Sequence, residues 1–451
     1  MIHLYRFHEL NIVLDVGSGA VHILSDEAAD VLRAAGGGGD FSAGDGMVDV
    51  GDSEAAAELE ALRRDGTLFA PEPDKAAFSP ERRGAVIKAM CLHVAHDCNM
   101  RCAYCFADTG GFHGARALLP LETGKRAVDF LLEASGGRRN LELDFFGGEP
   151  LMNWDVVKAL VLYGRERERG CGKHLRFTIT TNGLLLDDEK TAFINEHMDN
   201  VILSIDGRPE VNDRMRRTVS GAGTYALVID RLLRFKEARE RAGKLYYVRG
   251  TYTKWNRDFS EDVKHLAGLG FRNISVEPAV TDEADPAKPW ALTTADLDAL
   301  YAEYDRLADL MLAAQAAGAP LSFFHFNIDL AQGPCVYKRS SGCGAGTEYV
   351  AVTPEGDIYP CHQFAGEKDF LLGNVGDAAP LSAPDIREHF ARAHIYSKPD
   401  CSGCWAKYYC SGGCHANALH FEGDLLKPHR LSCALEKKRI ECAIGIMAAS
   451  S

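Results

Sequence analysis

Cys98-Asn99-Met100-Arg101-Cys102-Ala103-Tyr104-Cys105 is the stretch on which the reading of the whole chain turns. Three cysteines, spaced by three residues and then two, put three thiolates on one tight loop. Such a loop can hold three irons of a cubane four-iron cluster and leave the fourth iron open. Soft thiolate ligands suit iron–sulfur clusters or zinc. A zinc site closes with a fourth ligand, and His96 or His113 stands close enough in sequence to supply it. The apolar run Met90–Val94 just ahead of the loop reads as a strand, so the thiolates fall at a strand's carboxyl end.

Outward from that strand, five more strand-like runs follow: Leu141–Phe146, Arg176–Thr180, Val201–Ile205, Leu245–Thr251 and Ile274–Glu277. Helical sequence separates them, as in Thr123–Ala134, Trp154–Arg167, Ala226–Ala242 and Ser260–Leu269. Six βα units with near-continuous apolar strands predict parallel strands buried on both faces. The expected fold of residues 85–320 is therefore α/β, a partial (β/α)6 barrel with its chemistry at the carboxyl ends of the strands. The polar motifs sit there. Gly147-Gly148-Glu149-Pro150 follows the second strand, Thr181-Asn182-Gly183 the third, and Ser204-Ile205-Asp206-Gly207 the fourth. Paired glycines let the backbone approach a ligand closely, and Glu149 offers a carboxylate to an ammonium group. Arg216 taken by itself reads as a solvated charge on a helix face.

Residues 321–451 have a different texture, with short strands, many glycines and a cysteine every few residues. Nine of the fourteen cysteines fall between Cys335 and Cys442. A disulfide scaffold is out of place in a large chain with abundant core residues, whereas metal sites would supply the stability that this thin core lacks. Cys343 is followed by twelve residues, Gly356, four more residues and Cys361. Then come Cys401-x2-Cys404-x5-Cys410-x3-Cys414 and, after eighteen residues, Cys433. Two zinc ribbons would need eight ligands in repeated pairs, and Cys343–Cys361 is no such pair. Cys91, Cys171 and Cys442 are left over, as buried small hydrophobes or inert thiols.

Residues 1–80 carry short alternating segments at Leu4–His8, Asn11–Leu14 and Val21–Leu24, then helical patterns from near Ser25 and Ser53. A small three-strand, three-helix, winged-helix-like module fits. Its 15 acidic against 5 basic residues contribute −10 to the chain's net −14. A nucleic-acid or anionic-membrane binder needs a basic face, so both partners are excluded as a general expectation. The module more plausibly reads a peptide by adding a strand to its sheet edge; a structural cap is the alternative. Pro71, Pro73 and Pro80 mark a linker. With 46% hydrophobic and 25% charged residues over 451 positions, no basic-then-apolar opening and no long apolar run, the chain is expected to be a cytoplasmic protein.

The Cys98–Cys105 loop resembles the signature of radical S-adenosylmethionine enzymes. That resemblance implies a cluster at Cys98, Cys102 and Cys105, with Tyr104 beside it at the cofactor. It also implies that Gly147, Gly148 and Glu149 meet the methionine amino group, that Asn182, Ser204 and Asp206 meet ribose and carboxylate, and that Arg216 meets the carboxylate. Asn212-Asp213 replaces a His-Asp pair common in relatives. The seven tail cysteines resemble the twin-cluster SPASM extension of radical S-adenosylmethionine maturases. By that analogy Cys401, Cys404, Cys410 and Cys433 close one auxiliary cluster, while Cys343, Cys361 and Cys414 hold another. Three 4Fe–4S clusters and S-adenosylmethionine are the implied cofactors.

The opening Met1-Ile2-His3 with Asn11–Val16 and Ser18–His22 is similar to maturases of six-cysteine (SCIFF) peptides, as are Gly333–Lys338, Tyr409–Cys414 and Glu436–Cys442. Those enzymes join a cysteine sulfur to a carbon within one peptide. The implied activity is formation of an intrapeptide thioether in a cysteine-rich precursor, its leader bound by residues 1–80, with electrons from a donor such as flavodoxin or ferredoxin. Peptide oxidation or carbon–carbon crosslinking is the alternative chemistry, and a zinc-stabilised peptide-binding adaptor the non-enzymatic one. Cys335 is either an eighth auxiliary ligand or a bystander. The expectation is that Cys343, Cys361 and Cys414 leave one iron open for the peptide's thiol.

Overall fold

Branched aliphatic and aromatic residues set the first strands. A computed structural model of the chain describes residues 1–36, 40–41, 53–73, 86–282, 285–330 and 340–450. Strands β1 (Ile2–Phe7), β2 (Leu10–Asp15), β3 (Val21–Leu24) and the short β4 (Asp40–Phe41) form an antiparallel sheet in the order β3-β2-β1-β4. Helices α1 (Asp26–Gly36) and α2 (Glu54–Arg64) cover it, and Ile2, Leu4, Val13, Leu32 and Leu59 make the core between. Ser53 starts α2 by accepting the Ala56 N–H at 3.1 Å. Among the described residues the segment has four strands and two helices, in place of the expected three and three.

The chain divides into two compact units, and they redistribute the three zones of the sequence. The first gathers Met1–Arg82, Thr293–Gly342 and Ala393–Ser451; the second gathers Arg83–Leu292 and Cys343–Arg392. In the first unit the long terminal helix Arg430–Ala449 packs on helix Leu297–Ala316, where Arg439 Nε donates to the Tyr304 hydroxyl at 2.7 Å. The same helix receives β1. The Phe7 ring lies so close to Gly445 that an added Cβ would come within 2.4 Å of it, and the Tyr5 hydroxyl donates to the Glu441 carbonyl.

The second unit holds strands β5 (Ala89–His96), β6 (Ala117–Leu118), β7 (Asn140–Gly147), β8 (His174–Thr181), β9 (Asn200–Ser204), β10 (Tyr247–Tyr252) and β11 (Asn273–Pro278). Apart from the two-residue β6, they pair in parallel in chain order from β5 to β11. These are the six βα units expected. Helices α3 (Leu121–Ala134), α4 (Trp154–Cys171), α5 (Asp188–His197), α6 (Pro209–Met215), α7 (Tyr225–Arg241) and α8 (Phe259–Gly268) lie between them. Beyond Cys343 the chain returns to this unit, laying Tyr349–Val352 parallel to β5 and adding a hairpin at Asp357–Tyr359.

Burial on both faces runs the length of β5, which is buried at every position after Ala89, and holds in β8 over Phe177–Ile179 and in β11 over Ile274–Val276. β7, β9 and β10 alternate. On β7, Leu141, Leu143 and Phe145 are fully buried while Glu142, Asp144 and Phe146 are half-exposed. Gly164 of α4 meets Leu175 and Phe177 of β8, which fixes the buried set as the helix-facing side. Each such Leu or Phe adds about 2 kcal/mol by leaving water. The inner face keeps Asp144, Ser204, Arg249 and Glu277, and Arg249 pairs with Glu277 at 2.7 Å. The inner face therefore carries polar and charged side chains. No helix among the described residues is long and apolar enough to cross a membrane.

Candidate functional site

β5 delivers the cysteine loop to the carboxyl end of the barrel. The loop is fixed by its backbone: Arg101 N–H donates to the Arg217 carbonyl at 2.7 Å and Ala103 N–H to the Met215 carbonyl at 2.9 Å. Cys98 N–H donates to the Asp97 carboxylate at 2.8 Å. Burial pushes the Cys98 thiol up to about 12, with Glu149 adding to it, and Cys102 up to about 11 against the pull of Arg216. Burial alone accounts for both shifts in direction, as it does for the buried Cys91 and Cys442.

The glycine turn closes over this loop. A Cβ on Gly147 would lie 2.2 Å from the Ala95 carbonyl oxygen, and one on Gly148 would lie 2.1 Å from that of Asp97. Glu149 does not offer a free carboxylate, as the sequence suggested. It is buried, and it accepts from Leu151 N–H at 3.0 Å, Thr181 Oγ1 at 2.8 Å and Asn182 N–H at 2.8 Å. Its work is to tie the end of β7 to the end of β8. Asn182 then donates to Asn99 Oδ1 at 2.8 Å, above the Cys98 sulfur.

Tyr104, Asp206 and Arg216 form one buried network. The Tyr104 hydroxyl lies 2.8 Å from both Asp206 oxygens, Arg216 donates to that hydroxyl at 3.1 Å, and Arg216 and Asp206 approach to 4.0 Å. Arg216 is thus no solvated surface charge; it is only 7% exposed. Ser204, at the end of β9, is half-buried and stands on the inner face. Asn212 and Asp213 hold the turn before α7: Asn212 donates to Thr224, and Asp213 accepts from the N–H groups of Thr224 and Tyr225.

Neither histidine weighed as a zinc ligand fits that role. His96 faces His93, with Nε2 2.9 Å from His93 Nδ1, and burial holds it down at about 4, while His113 is exposed. The His93–His96 pair, stacked on Phe112, was not legible beforehand.

A second set of thiols lies in the first unit. Cys401, Cys404, Cys410 and Cys433 line a cavity of about 380 Å³ shared with Lys407 and Lys437. Burial raises the Cys401 thiol to about 11 and Cys433 to about 12, and raises Cys410 as well. Among the described residues no three His, Cys, Asp or Glu side chains converge as one metal ion would require. Four thiols around a volume are the donor set of a polynuclear cluster. Cys414 is exposed at the start of helix His415–Glu422 in the first unit; Cys343, exposed, and Cys361, buried beside Cys91 and Tyr349, belong to the second. Cys335 lies outside the described residues. Cys91 and Cys442 are buried as expected, but Cys171 is exposed at the end of α4.

Residues 92–258 match the family model of the radical SAM superfamily. The chain carries a radical SAM domain. It is 25% identical over 382 residues to the mycofactocin maturase MftC of Mycolicibacterium smegmatis, across 78% of this chain and 86% of that protein. Native anSMEcpe with bound AdoMet shares the fold at a TM-score of 0.66 and 18% identity, over 80% of this chain and 98% of that one. Streptococcus suis SuiB bound to the precursor peptide SuiA does so at 0.56 and 16%, over 96% and 98%.

Proposed function

We propose that the radical SAM domain serves a peptide maturase that forms intrapeptide thioethers in a cysteine-rich precursor. The observation that carries this reading is the cavity lined by Cys401, Cys404, Cys410 and Cys433, outside the radical SAM domain. A domain that only cleaves its cofactor has no use for a second thiol set, whereas a maturase that must remove an electron along with each new bond does. The names of MftC and of SuiB with its precursor peptide support the substrate class.

In this reading Cys98, Cys102 and Cys105 would hold the cluster that binds S-adenosylmethionine. Cys401, Cys404, Cys410 and Cys433 would hold one auxiliary cluster, and Cys343, Cys361 and Cys414 another. When bound, the first cluster and S-adenosylmethionine supply hydrogen-atom abstraction from an unactivated carbon, which no acid or base side chain achieves. The chain's own residues position the partners. Tyr104, Asp206 and Arg216 present one fixed set of donors and acceptors beside Cys102. The Gly147-Gly148 backbone packs directly on Asp97 and Cys98 and so fixes the loop, and the polar inner face of the barrel would admit the peptide. The domain's partners would be the precursor peptide and a flavodoxin- or ferredoxin-like donor, in the cytoplasm.

Leader recognition belongs to the edge of β3, which pairs only with β2 among the described residues. Beside it runs a groove of about 400 Å³ between α2 and the terminal helix, with Ile23 half-exposed at 49%. An Ile23→Asp variant is expected to bind the full-length peptide at least tenfold more weakly while still cleaving S-adenosylmethionine without peptide. Unchanged affinity returns residues 1–80 to a structural role.

The decisive experiment is mass spectrometry of the peptide encoded beside this gene, after anaerobic incubation with reconstituted enzyme and S-adenosylmethionine. Loss of two hydrogens per bond, with one thiol lost to alkylation each time, supports thioether formation. Loss of hydrogens with every thiol retained points instead to oxidation or carbon–carbon crosslinking. Replacing Cys98, Cys102 and Cys105 together by alanine is expected to abolish cofactor cleavage and leave auxiliary iron in place. Persistent cleavage would overturn the assignment of that loop.

A further inference from the structure

A net charge of −14 turns an acidic protein away from most of this chain. The second unit breaks that pattern beside the cysteine loop. Residues 215–218 run antiparallel along the loop: Met100 pairs with Thr218 in a β-bridge, and the Arg217 and Met215 carbonyls accept from Arg101 and Ala103. The loop reaches the surface here, since Ala103, between Cys102 and Cys105, is exposed, and so is Arg217. Three cations share this face. Arg214, in the last turn of α6, lies over the Trp255 ring, 3.9 Å from its centre. Arg214, Arg217 and Trp255 line one cavity of about 430 Å³, and Lys254 precedes Trp255 in the same turn. All three cations are exposed, and among the described residues none is paired with a carboxylate. The two carboxylates of the cavity are engaged. Asp213 accepts from the N–H groups of Thr224 and Tyr225, and Glu210 lies 4.0 Å from Arg208. Trp255, 37% exposed, and Val219, 62% exposed, supply apolar surface among the charges.

Aromatic and arginine side chains are the residues that protein interfaces favour. We propose that the face of Arg214, Arg217, Lys254 and Trp255 docks an acidic flavodoxin, which delivers the electron for the cluster of Cys98, Cys102 and Cys105. This rests on the ligand set put forward for that loop. Charge names the partner. An acidic protein is drawn to three unpaired cations and repelled by the rest of an acidic chain, so encounter is steered to this one place. Position names its task. The Arg217 carbonyl is hydrogen-bonded to the loop itself, so a carrier seated here meets the backbone that joins the cluster's ligands. The exposed indole gives the flat, apolar edge of a flavin a matching surface. In docking no bond forms or breaks; one electron leaves the reduced flavin and enters the cluster. The precursor peptide has other places in this reading, at the edge of β3 and on the inner face of the barrel.

The test is titration calorimetry of the reconstituted full-length enzyme with an acidic flavodoxin, at low and at physiological salt. Beside it, cleavage of S-adenosylmethionine is driven either by that flavodoxin, reduced, or by dithionite. Wild-type affinity is expected to fall as salt is added. Arg214→Glu combined with Lys254→Glu is expected to weaken flavodoxin binding by about tenfold or more. Flavodoxin-driven cleavage should fall with it, while dithionite-driven cleavage stays at the wild-type rate. Arg214→Lys combined with Lys254→Arg keeps both charges and is expected to bind as wild type does. Unchanged affinity in the charge-reversed pair overturns the proposal. So does weaker binding of the precursor peptide in that pair with flavodoxin binding intact. A second measurement needs no variant. Carbodiimide joins amines to carboxylates in contact, so Lys254 is the lysine expected to crosslink in the wild-type complex. Crosslinks confined to lysines of other faces overturn the proposal, whether or not the charge-reversed pair folds. Wild-type enzyme that cleaves no S-adenosylmethionine with dithionite refutes the cluster assignment of the loop, and the proposal with it. Dithionite-driven cleavage without any flavodoxin binding overturns the proposal alone.

Discussion

Asp206 shows how much of the site is decided at single residues. Its carboxyl is completely covered, and burial raises it from 3.8 to about 6 even though Arg216, Tyr104 and the Thr251 N–H all favour the charged form. A raised acid makes its stability contribution at low pH and loses it as pH rises through the folded value. The window runs from about 4 to about 6, and about 3 kcal/mol is at stake. Urea unfolding of the apoprotein should therefore show wild type losing ground to Asp206→Asn as pH rises across that window. A constant difference between the two would mean that Asp206 stays charged throughout.

At the scale of elements, the glycine turn after β7 is the part most sensitive to one added atom. Gly147 sits at φ +125° and Gly148 has a carbonyl oxygen where its Cβ would go. Gly148→Ala must move the turn off Asp97 and the neighbouring Cys98, at a strain of about 1–3 kcal/mol. Cofactor cleavage should fall at least tenfold while the fold, followed by circular dichroism, persists; unimpaired cleavage would show that the turn is not closed over the loop. This turn was legible in the sequence because local chemistry dictates it: paired glycines after an apolar run, then a helix. The six βα units were legible for the same reason. What lay beyond reach depends on distant partners. Glu149 reads as a ligand-binding carboxylate until Thr181 and Asn182 are seen to occupy it. The inner strand positions read as core until Asp144 and Glu277 are found half-exposed across the barrel. The covering of Lys407 depends on Glu72, 335 residues away, and no local signal marks it.

For the whole molecule, the telling feature is that the first unit is assembled from three separate stretches of chain. His3 stacks on Trp405 with ring centres 3.7 Å apart, and Glu72 reaches Lys407 across 335 residues of sequence. Glu72→Gln leaves that ammonium without an acid. Glu72 keeps 25% exposure, so the cost should lie at the low end for a broken buried pair, about 3 kcal/mol. Denaturant unfolding of the first unit and its iron content are the measurements, and wild-type values in both would mean that water replaces the carboxylate freely. The arrangement also sets a timetable. A ribosome makes β1 first and Trp405 and the terminal helix last, so the opening sheet spends nearly all of translation without the surface it rests on. Non-local contacts of this kind form late and leave early segments open to misassociation. A nascent chain stalled after Arg392 should accordingly be cut by protease within its first 80 residues, which released full-length protein resists. Equal resistance in the stalled chain would show that the opening sheet stands alone. The thiol-lined cavity, which includes Cys433 of that last helix, likewise cannot close until the ribosome lets go.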